Sequence, residues 1–388
     1  MGDNRLMQST RLNLSGSEAA AKSQSGGSER IVALDSLRGV ASLLVLASHI
    51  ILMQNLDGRS GDIIQHAGHL MGKVSVLVFF VLSGFVLMRT FITGKTNQYI
   101  PYAIKRVIRI WPPFAVSILI SCLLYVLVSP TNIPELSTWF NWNWRFPPSF
   151  DSIARHLLMT DITDWQTYNV VMWSLVYEMR ISLIFPLLVY AINRDWRIAF
   201  IGSFVISAIS MVFFRRFGLT FDPFSALRYL WLFAAGAIMA CNYQFLIAWF
   251  NQQRLAYRLL AWAAVLALLV VSLERIENAT TPLAALLIVF LCFADRPADR
   301  FLSRSVLRWF GEISYSLYLL HIPILLALTH LLYHKVSMPV LTALIVGTSL
   351  LASHVMYHAI ERPSIALGRT LARRATSGRE VRSALPRA

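Results

Sequence analysis

The chain has 388 residues, of which 56% are hydrophobic and only 14% charged, too apolar for a soluble domain with an ordinary water-facing surface. A net charge of +15 would point to nucleic acid in a soluble protein. Here, however, the basic residues stand in loops between apolar runs, where they mark membrane orientation, and no nucleic-acid partner is expected. The composition therefore predicts an all-α, polytopic membrane protein whose first partner is the lipid bilayer. Cys122, Cys241 and Cys292 fall inside apolar runs without paired spacing, which argues against a disulfide frame or a zinc site; no metal is expected.

Residues 1–28 are rich in Ser, Gly and Ala, with scattered charges and no long apolar run. They read as a disordered leader and not as a signal peptide. Apolar runs long enough to span a bilayer follow at about 31–54, 69–92, 110–129, 170–192, 198–214, 224–241, 255–273, 281–294, 306–332 and 338–360, predicting ten transmembrane helices, of which 281–294 is the shortest. No internal repeat marks the inverted halves of a transporter. Alternate loops carry 24 and 8 Lys and Arg residues, so both termini are expected in the cytoplasm of a multi-pass protein of the cell (inner) membrane. The division expected is a leader at 1–28, a membrane domain at 29–363 and a basic cytoplasmic tail at 364–388. The longest loop, about 130–169, then faces outward. Its stretch STWFNWNWRFPPSF carries tryptophans that suit either the membrane interface or the faces of sugar rings.

Ionisable groups inside a span cost several kcal/mol unless they are paired or line a cavity, so each needs a reason. Arg38 and His49 are separated along RGVASLLVLASH by 11 positions, which at ~100° each brings them within about 20° of three full turns. They share a face, ~16 Å apart along the axis, with Arg38 toward the cytoplasm. Asp35, three residues before Arg38, is placed to hold its guanidinium. Taken singly, Arg38 is equally a snorkelling side chain paired with Asp35, and His49 a packed, hydrogen-bonded histidine.

Lys105, Arg106 and Arg109 precede the third run. They serve either as topology markers or, with Arg38, as a cradle for a polyphosphate arriving from the cytosol; the Trp-Pro-Pro that follows is expected to fix the helix start. In the fourth run Glu178 needs a partner, Arg180 or an imidazole, or it would protonate. The ninth run presents Ser314, Tyr318 and His321, the last two on one face. His354, His358 and Glu361 fall near the cytoplasmic boundary, where charge is cheap.

The motifs LDSLRGVASLLVLASH, FFVLSGFVL at 79–87, KRVIRIWP at 105–112, WSLVYE at 173–178, ISYSLYLLHIP at 313–323 and ERP at 361–363, in this order on ten spans, resemble the acyltransferase 3 family of integral membrane O-acyltransferases over nearly all of residues 29–363. Met179 and Arg180 depart from the acidic or polar residue and aromatic more usual after the glutamate. A fused esterase-like domain, which some relatives carry, is not expected.

The resemblance implies transfer of an acyl group, commonly acetyl, from acetyl-CoA as co-substrate to a hydroxyl of an extracytoplasmic glycan or glycolipid such as exopolysaccharide or O-antigen. On that reading His49 is the general base or, alternatively, an acyl-carrying nucleophile, and Glu178 orients it as the third member of a triad. Arg38, with Lys105, Arg106 and Arg109, takes the phosphates of acyl-CoA or neutralises the negative charge that develops in the reaction, so that Arg38 counts among the catalytic candidates. Tyr318, His321 and Trp173 line the acceptor side, and Asp35 and Ser83 support. Two other classes fit intramembrane charges: a proton-coupled transporter, and a non-catalytic partner of a polysaccharide export system.

Overall fold

Lipid offers the backbone no hydrogen-bond partners, so apolar runs must satisfy their own amides as helices. The computed structural model describes residues 31–94, 98–160, 167–218, 222–274 and 279–384; the leader expected at 1–28 lies outside them. Its helices are α1 (Val32–Leu52), α2 (Gly58–Ile92), α3 (Tyr99–Val128), the short α4 (Thr138–Trp142) and α5 (Phe150–Leu157), α6 (Met172–Arg194), α7 (Trp196–Phe217), α8 (Leu230–Cys241), α9 (Tyr243–Asn251), α10 (Leu255–Glu274), α11 (Thr280–Ala294), α12 (Arg296–Leu302), α13 (Ser305–Leu332), α14 (Met338–Met356) and α15 (Arg362–Ala384). Among the described residues eight helices are long and apolar enough to cross a membrane, or up to ten if each of two bent pairs counts as one span. Among the described residues no strand forms; the β pairing there is one isolated bridge, Gln54 to Leu136.

Four boundaries differ from the apolar runs. Helix α2 starts at Gly58, because the polar stretch before residue 69 continues the helix beyond the apolar segment. Helix α3 starts at Tyr99 and runs through Pro112 and Pro113, so the Pro pair is internal and does not set the start. The runs at 224–241 and 281–294 belong to bent pairs, Ala226–Cys241 with Tyr243–Asn251 at 75° and Thr280–Ala294 with Arg296–Leu302 at 86°. The basic tail is largely helical: a π-helical turn at Tyr357–Glu361 carries the last span into α15, which packs on α3 with Gly368 against Ile108.

Internal prolines organise the bundle, because each frees the carbonyl four residues earlier. Pro186 frees that of Ser182, and the Tyr102 hydroxyl on α3 donates to it at 2.7 Å. Pro323 frees that of Leu319, which accepts from the Asn169 amide at 2.8 Å. The helix breaks are thus converted into bonds between elements.

The core lies where α1, α2 and α13 meet. A Cβ on Gly39 would come within 2.5 Å of the Gly311 amide nitrogen, and one on Gly311 within 2.5 Å of the Asp35 carbonyl, so α1 and α13 touch backbone to backbone. One turn on, the Ser42 hydroxyl donates to the Ser314 carbonyl at 2.9 Å. Helices α2 and α8 approach in the same way at Gly84 and Gly236. By contrast α10 is apolar and exposed along most of its length, as a lipid-facing helix is.

Candidate functional site

Two sites sit on α1, one at each end of the face shared by Arg38 and His49. At the Arg38 end a cavity of about 30 Å³ is lined by polar groups from three helices: Arg38 and Ser42 of α1, Ser174 and Glu178 of α6, and Tyr315 and Tyr318 of α13. Phe79 and Phe80 of α2 form its apolar wall. Among the described residues the Arg38 guanidinium makes no hydrogen bond or ion pair, and Asp35 does not pair with it, contrary to the sequence expectation. Arg38 lies within electrostatic range of Glu178, Arg109 and Glu361. Arg109 likewise has no direct ion pair among the described residues.

Glu178 is buried and already occupied. Its Oε1 accepts from the Arg106 guanidinium in a buried ion pair and from the Ser83 hydroxyl at 2.7 Å, and Arg106 Nε donates to Ser182 Oγ at 3.0 Å. Neither Arg180 nor an imidazole takes the carboxylate: Arg180 donates to the Met159 carbonyl at 3.1 Å. Arg106 therefore belongs to a saturated internal network and is not placed as a free phosphate ligand. Lys105 lies in electrostatic range of Arg369 and Arg373 on α15.

At the other end of α1, His49 Nδ1 lies 3.0 Å from His321 Nε2, and His321 Nδ1 lies 3.0 Å from the Leu317 carbonyl oxygen. The His321 ring is wholly buried. The His49 imidazole also stacks on Trp139, with centroids 5.1 Å apart and planes 12° apart. Trp139 reaches it because α4 is clasped to the end of α1: Ser137 donates through its amide to the Met53 carbonyl at 3.0 Å and through its hydroxyl to the Leu52 carbonyl at 2.5 Å. These carbonyls end a helix and would otherwise lack partners. Farther out, His330 rests between Phe140 and Trp144 and pins the same loop. Tyr318 bridges the two ends, since it lines the cavity, shares a 2.6 Å hydrogen bond with Ser174 and lies 6.0 Å from His321, ring to ring.

The sequence model described as an acyltransferase domain matches residues 31–358. The chain belongs to the acyltransferase 3 family. It is 29% identical over 166 residues to the acyltransferase MdmB of Streptomyces mycarofaciens, a stretch that covers 41% of this chain and 39% of that protein, so the likeness reaches about two fifths of the relative's length. No solved structure matches.

In this member of the family the structure brings together Arg38, Glu178 and Tyr318 around one cavity, and sets His49 against His321. Trp173 stands apart from both, edge-on to Phe80 and Tyr177 in an aromatic cluster. Ser83 is spent on Glu178. Three residues carry more than their sequence suggested. Glu361 is buried within the protein at 4% exposure and accepts from Ser316 Oγ at 2.7 Å. Tyr315 donates to the Ile110 carbonyl at 2.8 Å, next to the carbonyls that Pro112 and Pro113 release. Trp139 was one of several loop tryptophans, with nothing in its spacing to single it out. Among the described residues no group of three or more His, Cys, Asp or Glu side chains is placed to hold a metal ion.

Proposed function

We propose that this protein transfers an acyl group, acetyl in the simplest case, from cytosolic acyl-CoA to a hydroxyl of a glycan or glycolipid on the far side of the cell membrane, exopolysaccharide or O-antigen being the favoured acceptors. The reading is supported by one observation: a single cavity is lined both by Arg38, which has no direct partner among the described residues, and by Tyr318, whose ring lies 6.0 Å from that of His321 in the His49–His321 pair. The excess of basic residues on the Arg38 side assigns that end, and both termini, to the cytoplasm. A thioester donor is anionic at its nucleotide end and carries its acyl group on a long arm. Among the described residues Arg38 and Arg109 make no direct ion pair, so their guanidinium groups can meet the phosphates, and the donor's arm would run past Tyr318 toward the imidazoles.

At the far end His49 acts as general base on the acceptor hydroxyl, since a neutral imidazole is a competent proton acceptor near neutral pH. Glu178 is too engaged with Arg106 and Ser83 to serve as the third member of a triad. Its part is to hold α3 against α6 and to set the field around Arg38. The test is a chromosomal deletion followed by mass spectrometry of the surface glycans, which should lose one acyl increment; restoring the wild-type gene should return it and His49→Ala should not. A glycan profile indifferent to the deletion, together with export of an unmodified solute, would leave the transporter reading standing in its place.

A further inference from the structure

The pair of imidazoles carries an assignment that rests on the acyl-transfer reading for its purpose but not for its geometry. A carbonyl oxygen only accepts, so the contact of His321 Nδ1 with the Leu317 carbonyl at 3.0 Å puts a hydrogen on that nitrogen. In neutral His321 the other nitrogen, Nε2, then carries the lone pair. Nε2 faces His49 Nδ1 at 3.0 Å, so the hydrogen between the rings belongs to His49 Nδ1. The opposite polarity would need hydrogens on both nitrogens of His321. That is a cation in a ring with no exposed surface and, among the described residues, no carboxylate within 4 Å, an arrangement that is costly unless paired.

The Val45 carbonyl one turn back also meets the His49 ring, a contact that, like the one to His321, calls for a hydrogen on Nδ1; His49 then presents Nε2 as its basic edge, and among the described residues that nitrogen has no side-chain hydrogen-bond partner. Trp139 covers one face of the ring, which leaves the Nε2 edge as the side from which a hydroxyl can approach. We propose that His321 is a positioning residue: it fixes His49 in the Nδ1–H tautomer, aims Nε2 at the acceptor hydroxyl and holds the imidazolium that forms. Nε2 takes the hydroxyl proton as that oxygen bonds to the thioester carbonyl carbon. The carbon–sulfur bond then breaks, and the departing thiolate takes the proton back from Nε2. His49 ends as it began, and His321 never gains or loses a proton. The relay ends on a backbone carbonyl instead of a carboxylate, so orientation and tautomer are fixed without burying a second charge.

The test joins a spectroscopic and a kinetic reading on the full-length chain. Histidine labelled with ¹⁵N, in nanodiscs, with the His49 signals assigned by their loss in His49→Ala, should show Nδ1 protonated and Nε2 bare. His321→Leu, which keeps the volume and removes the acceptor, should give a mixture of tautomers. His321→Gln, whose side-chain oxygen can replace Nε2 as acceptor, should keep the Nδ1–H form. In membranes of the producing cell, which hold the native acceptor, release of free CoA from acetyl-CoA should fall roughly 100-fold in His321→Leu, with the KM for acetyl-CoA unchanged, and stay within about 10-fold of wild type in His321→Gln. A leucine variant as fast as the glutamine one, or a bare Nδ1 in the wild type, overturns the assignment. If His321→Leu does not fold, the wild-type tautomer and the glutamine variant still decide it. Transfer that survives His49→Ala overturns the acyl-transfer role of His49 itself, a result separate from the tautomer reading.

Discussion

Arg106 and Arg38 are both guanidinium groups held within the helical bundle, close to the same carboxylate, and they are treated in opposite ways. Arg106 is buried and saturated, by the Glu178 carboxylate at one nitrogen and the Ser182 hydroxyl at another. Arg38 lines a cavity and among the described residues meets no direct partner. A charge in a low-dielectric interior is stable only when its surroundings answer it. The first arginine is answered by the protein itself, whereas the second faces a cavity. Residue type and depth do not separate structural from functional charges in this bundle; the partner list does.

The largest effect that should separate them is on stability. Arg106→Ala leaves Glu178 as a buried, uncompensated anion and should destabilise the folded protein by about 3–5 kcal/mol, read as loss of the monodisperse peak and a lowered Tm in detergent. Replacing both partners, Arg106→Met with Glu178→Leu, should recover much of that loss, since no lone charge then remains. Arg38→Ala should leave the stability within about 1 kcal/mol of wild type and still reduce acyl transfer by roughly 100-fold, mainly as a raised KM for the donor. Equal destabilisation by the two alanine variants would erase the distinction. A smaller effect is expected where an uncharged group performs the same service as Glu178: Tyr102→Phe strips the donor from the Ser182 carbonyl that Pro186 releases and should cost about 1 kcal/mol, visible as a modest drop in Tm with donor KM unchanged.

The helical order and the shared face of Arg38 and His49 were legible because both follow from local periodicity: apolar runs report spans, and 11 residues close three turns. The boundaries that failed did so where periodicity is overruled by tertiary contacts. Pro112 and Pro113 look like a helix start, yet their released carbonyls are tolerated beside the Tyr315 hydroxyl, which a chain position 205 residues away supplies. The partner of Glu178 was misjudged for a simpler reason. Arg180 is two residues along the same helix and points to the other side, while Arg106, on a different helix, faces it. The link from His49 to His321 spans 272 positions and has no local signature at all. Glu361 was read from its place at the end of an apolar run, where charge is cheap, but the π-helical turn it sits in rotates it inward to Ser316.

The glycine crossing of α1 and α13 has a mechanical meaning for both ends of α1. With backbone pressed on backbone at Gly39 and Gly311, no side chain is left there to compress, and the crossing behaves as a fixed pivot. Arg38 sits at the fulcrum and hardly moves when α1 tilts, but His49 is ten residues out on a lever of ~15 Å. A tilt of only about 5° would swing the imidazole ~1.3 Å, enough to part it from His321 and of the size that disables a catalytic group. The position of Arg38 and the alignment of His49 are in this way mechanically decoupled along a single rod.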